Sequence, residues 1–327
     1  MTISSTSRRA VIVAMAGALC AVGLPALAQS APDRPLRVII PLSPGSTVDT
    51  MGRAMSNEMA KVFGHPVVVE NLAGAGGVTG TAQLVKAPKD GMTVGLISSN
   101  HVINPSIYKS VPFDSLKDIT PITVIGTVPL VLVVNPSVAA KTTAELVALM
   151  KVKKGELNVG SAGNGSVLHL AAELFGSEAG VDIQHIPYKG TGPMMNDLLG
   201  GQVQLGFLSV TAAVSQIKAG KLRAIGVSTK QRSAILPDVP TLAESGLPNY
   251  SFDAWIAAIG PAGMAPAQVQ KYYNDFKAVV KHPDVQSAFA AQGVATVLNT
   301  PEQATAFFKT ELDKHAVLVK KSGASLD

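Results

Sequence analysis

The sequence predicts an α/β fold in two lobes: two α/β domains joined by two crossover strands, with a cleft between them. Three observations predict it. Short apolar runs alternate with segments of helical period, as in α/β domains with largely parallel sheets. The loops that follow the runs are rich in Gly, Ser and Asn, and in such sheets ligands sit beyond the carboxyl ends of the strands. Two further apolar runs, Pro129 to Ser137 and Ala254 to Ile259, stand where a chain would leave one domain and return to it.

The elements follow in order. Arg8-Arg9, the apolar stretch Ala10 to Leu24 and the small residues of Ala26-Leu27-Ala28 read as a secretory signal peptide cut after Ala28, by the Sec or the Tat route. Cys20 lies within it, and Gly17 and Leu19 fit a lipobox poorly. Cleavage takes the sole cysteine and two of the 27 Lys and Arg residues, which leaves 299 residues with a net charge of +3 against 22 acids. That length suits two domains. The mature chain can make no disulfide and no thiolate metal site. Its charge is too mild for a nucleic-acid binder.

"LRVII" reads as a buried strand, and "PLSPGST" leads to a helix with Val48, Met51, Met55, Met59 and Val62 on one face. Ser46 or Thr47 can cap it, and Asp49 lies in its positive first turn. "VVVEN" leads into "LAGAGG", and "TVGLISS" leads to Asn100. After the strand "PLVLVVNPS" comes a helix stopped by Gly155. Three strand, loop and helix units follow: "ELNVGSAGNGSVLHLAAELF", "VDIQHIPYKGTGPMMNDLLGG" and "QVQLGFLSVTAAVSQIKAG". "LRAIGVS" is a further strand. Past Gly226 the chain is rich in turns until Ala254 to Ile259; helices then follow around Pro266–Lys281 and Pro301–Lys320. This order sets a discontinuous first domain, 31–128 plus 256–327, and a second domain, 129–255.

Chemistry is narrowed mainly by exclusion. "NLAGAGGVTG" approaches the dinucleotide fingerprint, but Thr79 stands at its third glycine and the expected downstream acid is missing. No nucleophile elbow, zinc-protease motif or Walker loop occurs, and no motif calls for a cofactor. His169 and Glu173 could share a metal, but a polar side chain near a helix start beside a solvated acid is the better reading. What remains is a set of uncharged donors at helix starts: Ser43, Ser46, Thr47, Ser99, Asn100, Ser161, Asn164, Ser166, Thr191 and Ser209. Each alone is an ordinary cap. Recurring together, with the helix dipoles, they favour a small anion such as a carboxylate.

These segments also carry a resemblance. "RPLRVIIPLSPGSTVD", "HPVVVENLAGAGGVTG", "LNVGSAGNGSVLHLAAELF", "HIPYKGTGPMMNDLLGGQV" and "GPAGMAP" occur in order over nearly the whole mature chain. In them the chain resembles the substrate-binding proteins of tripartite tricarboxylate transporters, the Bug type. The resemblance implies a type II-like periplasmic binding protein that closes on a carboxylate. It implies membrane permease subunits as partners, no cofactor and no catalysis.

Carried over by motif, the binding loops are Leu42 to Asp49 (with Gly45), Gly74 to Gly77 (with Ala75 and Gly76), and Ser99 with Asn100. Ser161 to Ser166 (with Gly165), His169, and Tyr188, Lys189 and Gly190 complete them. Two positions depart from the family pattern: Ser46 replaces a second glycine, and Leu208-Ser209 replaces an acid or amide. They border the part that reads the ligand's distal end and leave a less polar, even aromatic, acid open. Other readings of the same cleft are a ligand sensor for a membrane kinase and an exported enzyme acting on a small acid.

Overall fold

The computed structural model describes residues 34–325; the expected signal peptide, residues 1–28, lies outside them. Among the described residues no helix is long and apolar enough to cross a membrane.

The chain opens with β1 (Leu36–Ile40), α1 (Thr47–Phe63), β2 (Val67–Asn71), α2 (Val78–Leu84), β3 (Thr93–Ser98) and α3 (Asn100–Ile107). β4 (Ile119–Val134) is 16 residues long and runs through both halves of the molecule. The second half holds α4 (Thr143–Val152), β5 (Asn158–Ser161), α5 (Val167–Ala179), β6 (Gln184–Pro187), α6 (Thr191–Leu199), β7 (Leu205–Ser209), α7 (Val210–Lys218) and β8 (Arg223–Val227). The chain returns along β9 (Asp253–Pro261) and ends in α8 (Pro266–Lys281), α9 (Pro283–Ala291), β10 (Ala295–Thr296) and α10 (Pro301–Ser322).

The strand order is β2-β1-β3-β9-β4-β7-β5-β6, with β8 and β10 also on β4. β1 pairs in parallel with β2 and β3, and β5 with β6 and β7. The sheets are nonetheless mixed, where the sequence suggested largely parallel ones. β9 runs antiparallel to β3 and β4, and β4 runs antiparallel to β7 and β8. In the first half the returning β9 runs against β1, β2 and β3, and in the second half β4 runs against β5, β6, β7 and β8. β4 pairs with β9 from Ile119 to Pro129 and with β7 from Leu130 to Val134.

Both faces of the first half's sheet are covered. Val38, Ile40, Val94, Leu96 and Ile256 bury against Met51, Met55 and Met59 of α1 and Tyr272 and Phe276 of α8. The methionine stripe read from sequence is thus core. On the other face Ile39, Ile97, Trp255 and Ile259 meet Phe308 of α10. The second half packs around Leu132, Phe175, Phe207, Tyr250 and Phe252. That core also takes in Ile103 and Ile107 of α3 and Leu318 and Val319 of α10. α10 starts from a complete capping box, Thr300 with Gln303, and ends at Gly323 in the left-handed region. α9 is an element the sequence reading lacked, although Pro283 at its start and Asp284 in its first turn are ordinary start signals.

Candidate functional site

Five helices begin at one cleft. α1, α3, α5, α6 and α7 start at Thr47, Asn100, Val167, Thr191 and Val210, and all five of these starts or their caps border it. The cleft measures about 400 Å³. Its polar lining is Ser46, Thr47, Ser98, Ser99, Asn100, Ser166, Thr191 and Ser209, with Gly45 at the mouth of the first loop. Between these lie Leu42, Val48, Val128, Ala162, Val167, Leu168, Ala254, Trp255 and Ile256. No charged side chain is among these lining residues. Positive potential therefore comes from helix starts, whose first N–H groups lack partners within the helix.

The hydroxyls differ in what they are free to do. Ser46, Ser166 and Ser209 are caps: they accept the Asp49, His169 and Ala212 N–H groups at 3.2, 3.2 and 3.3 Å. Ser99 is fully buried, and its Oγ has no hydrogen-bond partner. A buried hydroxyl left bare is costly, and this one borders the cleft.

The other residues expected at the site stand behind or beside this wall. Asp49 is buried and ties the first loop together. Its carboxylate accepts the Gly45 N–H at 2.8 Å, the Arg53 Nε at 2.9 Å and the Asn71 Nδ2 at 3.0 Å. Burial pushes its pKa up, but these donors outweigh that and hold it below the ordinary aspartate range. Ser43 is exposed, and its carbonyl accepts the Ser46 N–H. Ala75 and Gly76 are exposed on a 3₁₀ turn, Ala75–Gly77. Four consecutive residues there, Gly74 to Gly77, have positive φ, which explains the glycines. The Gly76 carbonyl accepts from Asn104 Nδ2. Gly76 borders a small pocket of about 10 Å³ beside the cleft and not the cleft itself.

In the second half, Ser161 is buried; its Oγ donates to the Gly163 carbonyl and sits 2.6 Å from His185 Nε2. His169 Nδ1 accepts the Gly165 N–H at 3.0 Å, so its proton is on Nε2, which faces Glu173 at 3.3 Å. The two imidazoles stack with centroids 3.7 Å apart. Among the described residues no group of three or more metal-ligating side chains occurs. Asn164 donates to the Ser325 carbonyl. Tyr188 donates to Asp197 at 2.9 Å, and burial and that carboxylate push its pKa up to about 12. Lys189 is exposed, and Gly190 precedes α6 with φ 120°.

Burial, with His169 adding to it, holds His185 down to about 4. An unfolded histidine protonates near pH 6.5. The unfolded chain thus binds the extra proton first, and stability is lost as pH falls from about 6.5 toward 4. His185→Asn should flatten this limb: its melting temperature at pH 5 should fall less, relative to pH 7.5, than that of the unaltered protein.

The cleft's apolar wall is the part that sequence reasoning missed. Val128, Ala254 and Ile256 look like core in a sequence, and only strand pairing places them here: Val128 opposes Ala254 in the β4–β9 register. Thr191 did carry a signal, as a donor at a helix start.

A sequence profile described as "Tripartite tricarboxylate transporter family receptor" matches residues 51–324. Protein BugT of Bordetella pertussis is 37% identical over 318 residues, 97% of this chain and 96% of that protein. Among solved structures, periplasmic binding protein BugD is 32% identical with a TM-score of 0.76, covering 90% of this chain and 99% of that one. MatC from Rhodopseudomonas palustris, solved with bound malate, is 27% identical with a TM-score of 0.75, covering 88% and 100%. A second R. palustris protein, solved with adipate, is 28% identical with a TM-score of 0.79, covering 90% and 99%.

Proposed function

This chain belongs to the tripartite tricarboxylate transporter receptor family, and from that premise we propose that it is a periplasmic receptor for a small organic carboxylate. It reaches the periplasm by the signal peptide of residues 1–28, delivers its ligand to the permease subunits of a tripartite transporter and catalyses nothing. The observation that carries this reading is the convergence of five helix starts on a cleft without charged side chains. Such a site attracts a carboxylate without burying an ion pair, which keeps release easy.

In this reading the lobes are 31–128 plus 256–327 and 129–255. One lobe contributes Ser46, Thr47, Ser99 and Asn100, and the other Ser166, Thr191 and Ser209. Asp49, Ser161, Gly165, His169 and Tyr188 hold the loops that present them. The malate and adipate bound by the two R. palustris proteins are the ligand chemistry to try first. The apolar wall favours a chain or ring with few polar groups between or beyond the carboxylates.

Trp255 offers the test. It borders the cleft, is buried, donates Nε1–H to Glu311 at 3.1 Å and packs edge-on against Phe307 and Phe308. A bound acid that draws the lobes together should shift its fluorescence saturably. A panel of malate, adipate, citrate and benzoate is titrated by fluorescence and by calorimetry. Silence in both, across the panel, would sink the receptor reading; turnover of a bound acid, seen by mass spectrometry, would replace it with an enzyme.

A further inference from the structure

A second cavity, of about 450 Å³, lies at the crossover strands. Val128 and Ala254 look into the cleft, whereas their strand neighbours Pro129 and Asp253 line this second cavity. On β4 the alternation is plain, since Thr127 and Pro129 line the second cavity and Val128 between them borders the cleft, so β4 separates the two. One wall is the 229–235 segment that follows β8, and the other is the 290–295 segment between α9 and β10. The walls meet at Gly293, where an added Cβ would stand 2.9 Å from Ile235 Cδ1.

The cavity carries two opposite charges that do not touch. Asp253 lines it; Oδ1 of that carboxyl is sealed from solvent and has no hydrogen-bond partner. Lys230 lines it from the 229–235 wall and forms no ion pair within 4 Å with Asp253. The third charged lining residue, Arg232, is already paired with Glu244 at 2.9 Å. Pro129, Ile235 and Val294 give the space between an apolar surface.

We propose that this cavity is a second small-molecule site that takes a zwitterion of amino-acid size, its ammonium on Asp253 and its carboxylate on Lys230. The state of Asp253 supports the assignment. Burial pushes its carboxyl up to about 6, Lys314 and Lys230 draw it down, and Glu311 pushes it up. A ligand ammonium favours the ionised form, so binding expels a proton in the range where Asp253 is protonated. The sign is that affinity rises with pH through about 6, and a site with that pKa binds roughly tenfold tighter at pH 7.5 than at pH 5.

L-Leucine is the probe, titrated by calorimetry at both pH values into the full mature chain and into Asp253→Asn and Lys230→Met, each first checked for a cooperative melt. The expected result is binding to the unaltered protein, tighter at pH 7.5, and at least tenfold weaker binding in both variants. No binding to the unaltered protein overturns the proposal. Equal binding by both variants also overturns it, since the amino acid then sits in the cleft. If one variant does not fold, Ile235→Trp, which fills the cavity from its apolar wall, replaces it with the same expectation.

Discussion

Asp49→Ala should cost the protein stability and most of its ligand affinity together. The carboxylate holds three donors at once, and Asn71, one of them, also donates to the Leu42 carbonyl. Removing it frees the Gly45 N–H, strips Arg53 of its Asp49 partner and leaves the Arg53 bond to Asn71 Oδ1 at 2.7 Å to hold α1 to β2. Losing one partner of a fully buried charge pair costs about 3–5 kcal/mol. Arg53 is 54% exposed and can turn to water, so the expected cost is about 2–3 kcal/mol.

Affinity falls for a separate reason. Residues 43–46 would have to be ordered anew by the ligand, at about 1 kcal/mol each, which amounts to roughly 100- to 1,000-fold in Kd. Denaturant unfolding reads the first effect and calorimetry with a bound acid the second. Asp49 also sets an acid limit. Its folded pKa is depressed, so its contribution is present above the unfolded value of about 3.9 and is lost as pH falls through the lower folded value. In Asp49→Asn that acid-side loss should disappear. Unchanged affinity in Asp49→Ala would show that the first loop is not part of the binding wall.

The ends of the helices were legible in the sequence because capping is local. Ser46, Ser166 and Ser209 each bond an N–H three residues on, and a Ser before an apolar period says as much without a structure. What sequence could not say is which polar groups have already been satisfied. His169 resembles a ligand donor in its motif, yet one ring nitrogen is taken by Gly165 and the other faces Glu173. Tyr188 is taken by Asp197, and Asn164 by a carbonyl 161 residues away.

Strand direction was hidden for a related reason. An apolar run fully buried on both faces has no orientation, so the antiparallel insertion of β4 and β9 left no mark in composition. The reach of α10 into the second half's core, through Leu318 and Val319, was equally unreadable, since a helix period does not name its partner.

Ser99→Ala should separate stability from binding, because the two effects have opposite signs. The Ser99 hydroxyl is buried without a hydrogen-bond partner at the edge of the cleft. Deleting an unsatisfied buried polar group removes a penalty of about 1–3 kcal/mol, less the packing of one oxygen. The ligand-free variant should therefore melt about 1–3 °C higher than the unaltered protein. If the hydroxyl waits for a carboxylate, its loss removes a hydrogen bond to a charged group, worth about 1.5–3 kcal/mol, and weakens binding roughly 10- to 150-fold.

Ser209→Ala provides the contrast. Its hydroxyl caps α7, so the ligand-free variant should lose about 1 kcal/mol. A Ser99→Ala protein that gained stability and kept its affinity would remove Ser99 from the site and leave its bare hydroxyl as a packing fault. A loss of both would mean that the hydroxyl is bonded in solution by a group inside the protein. Only a gain in the empty protein together with a loss in binding fits a donor held in reserve for the ligand.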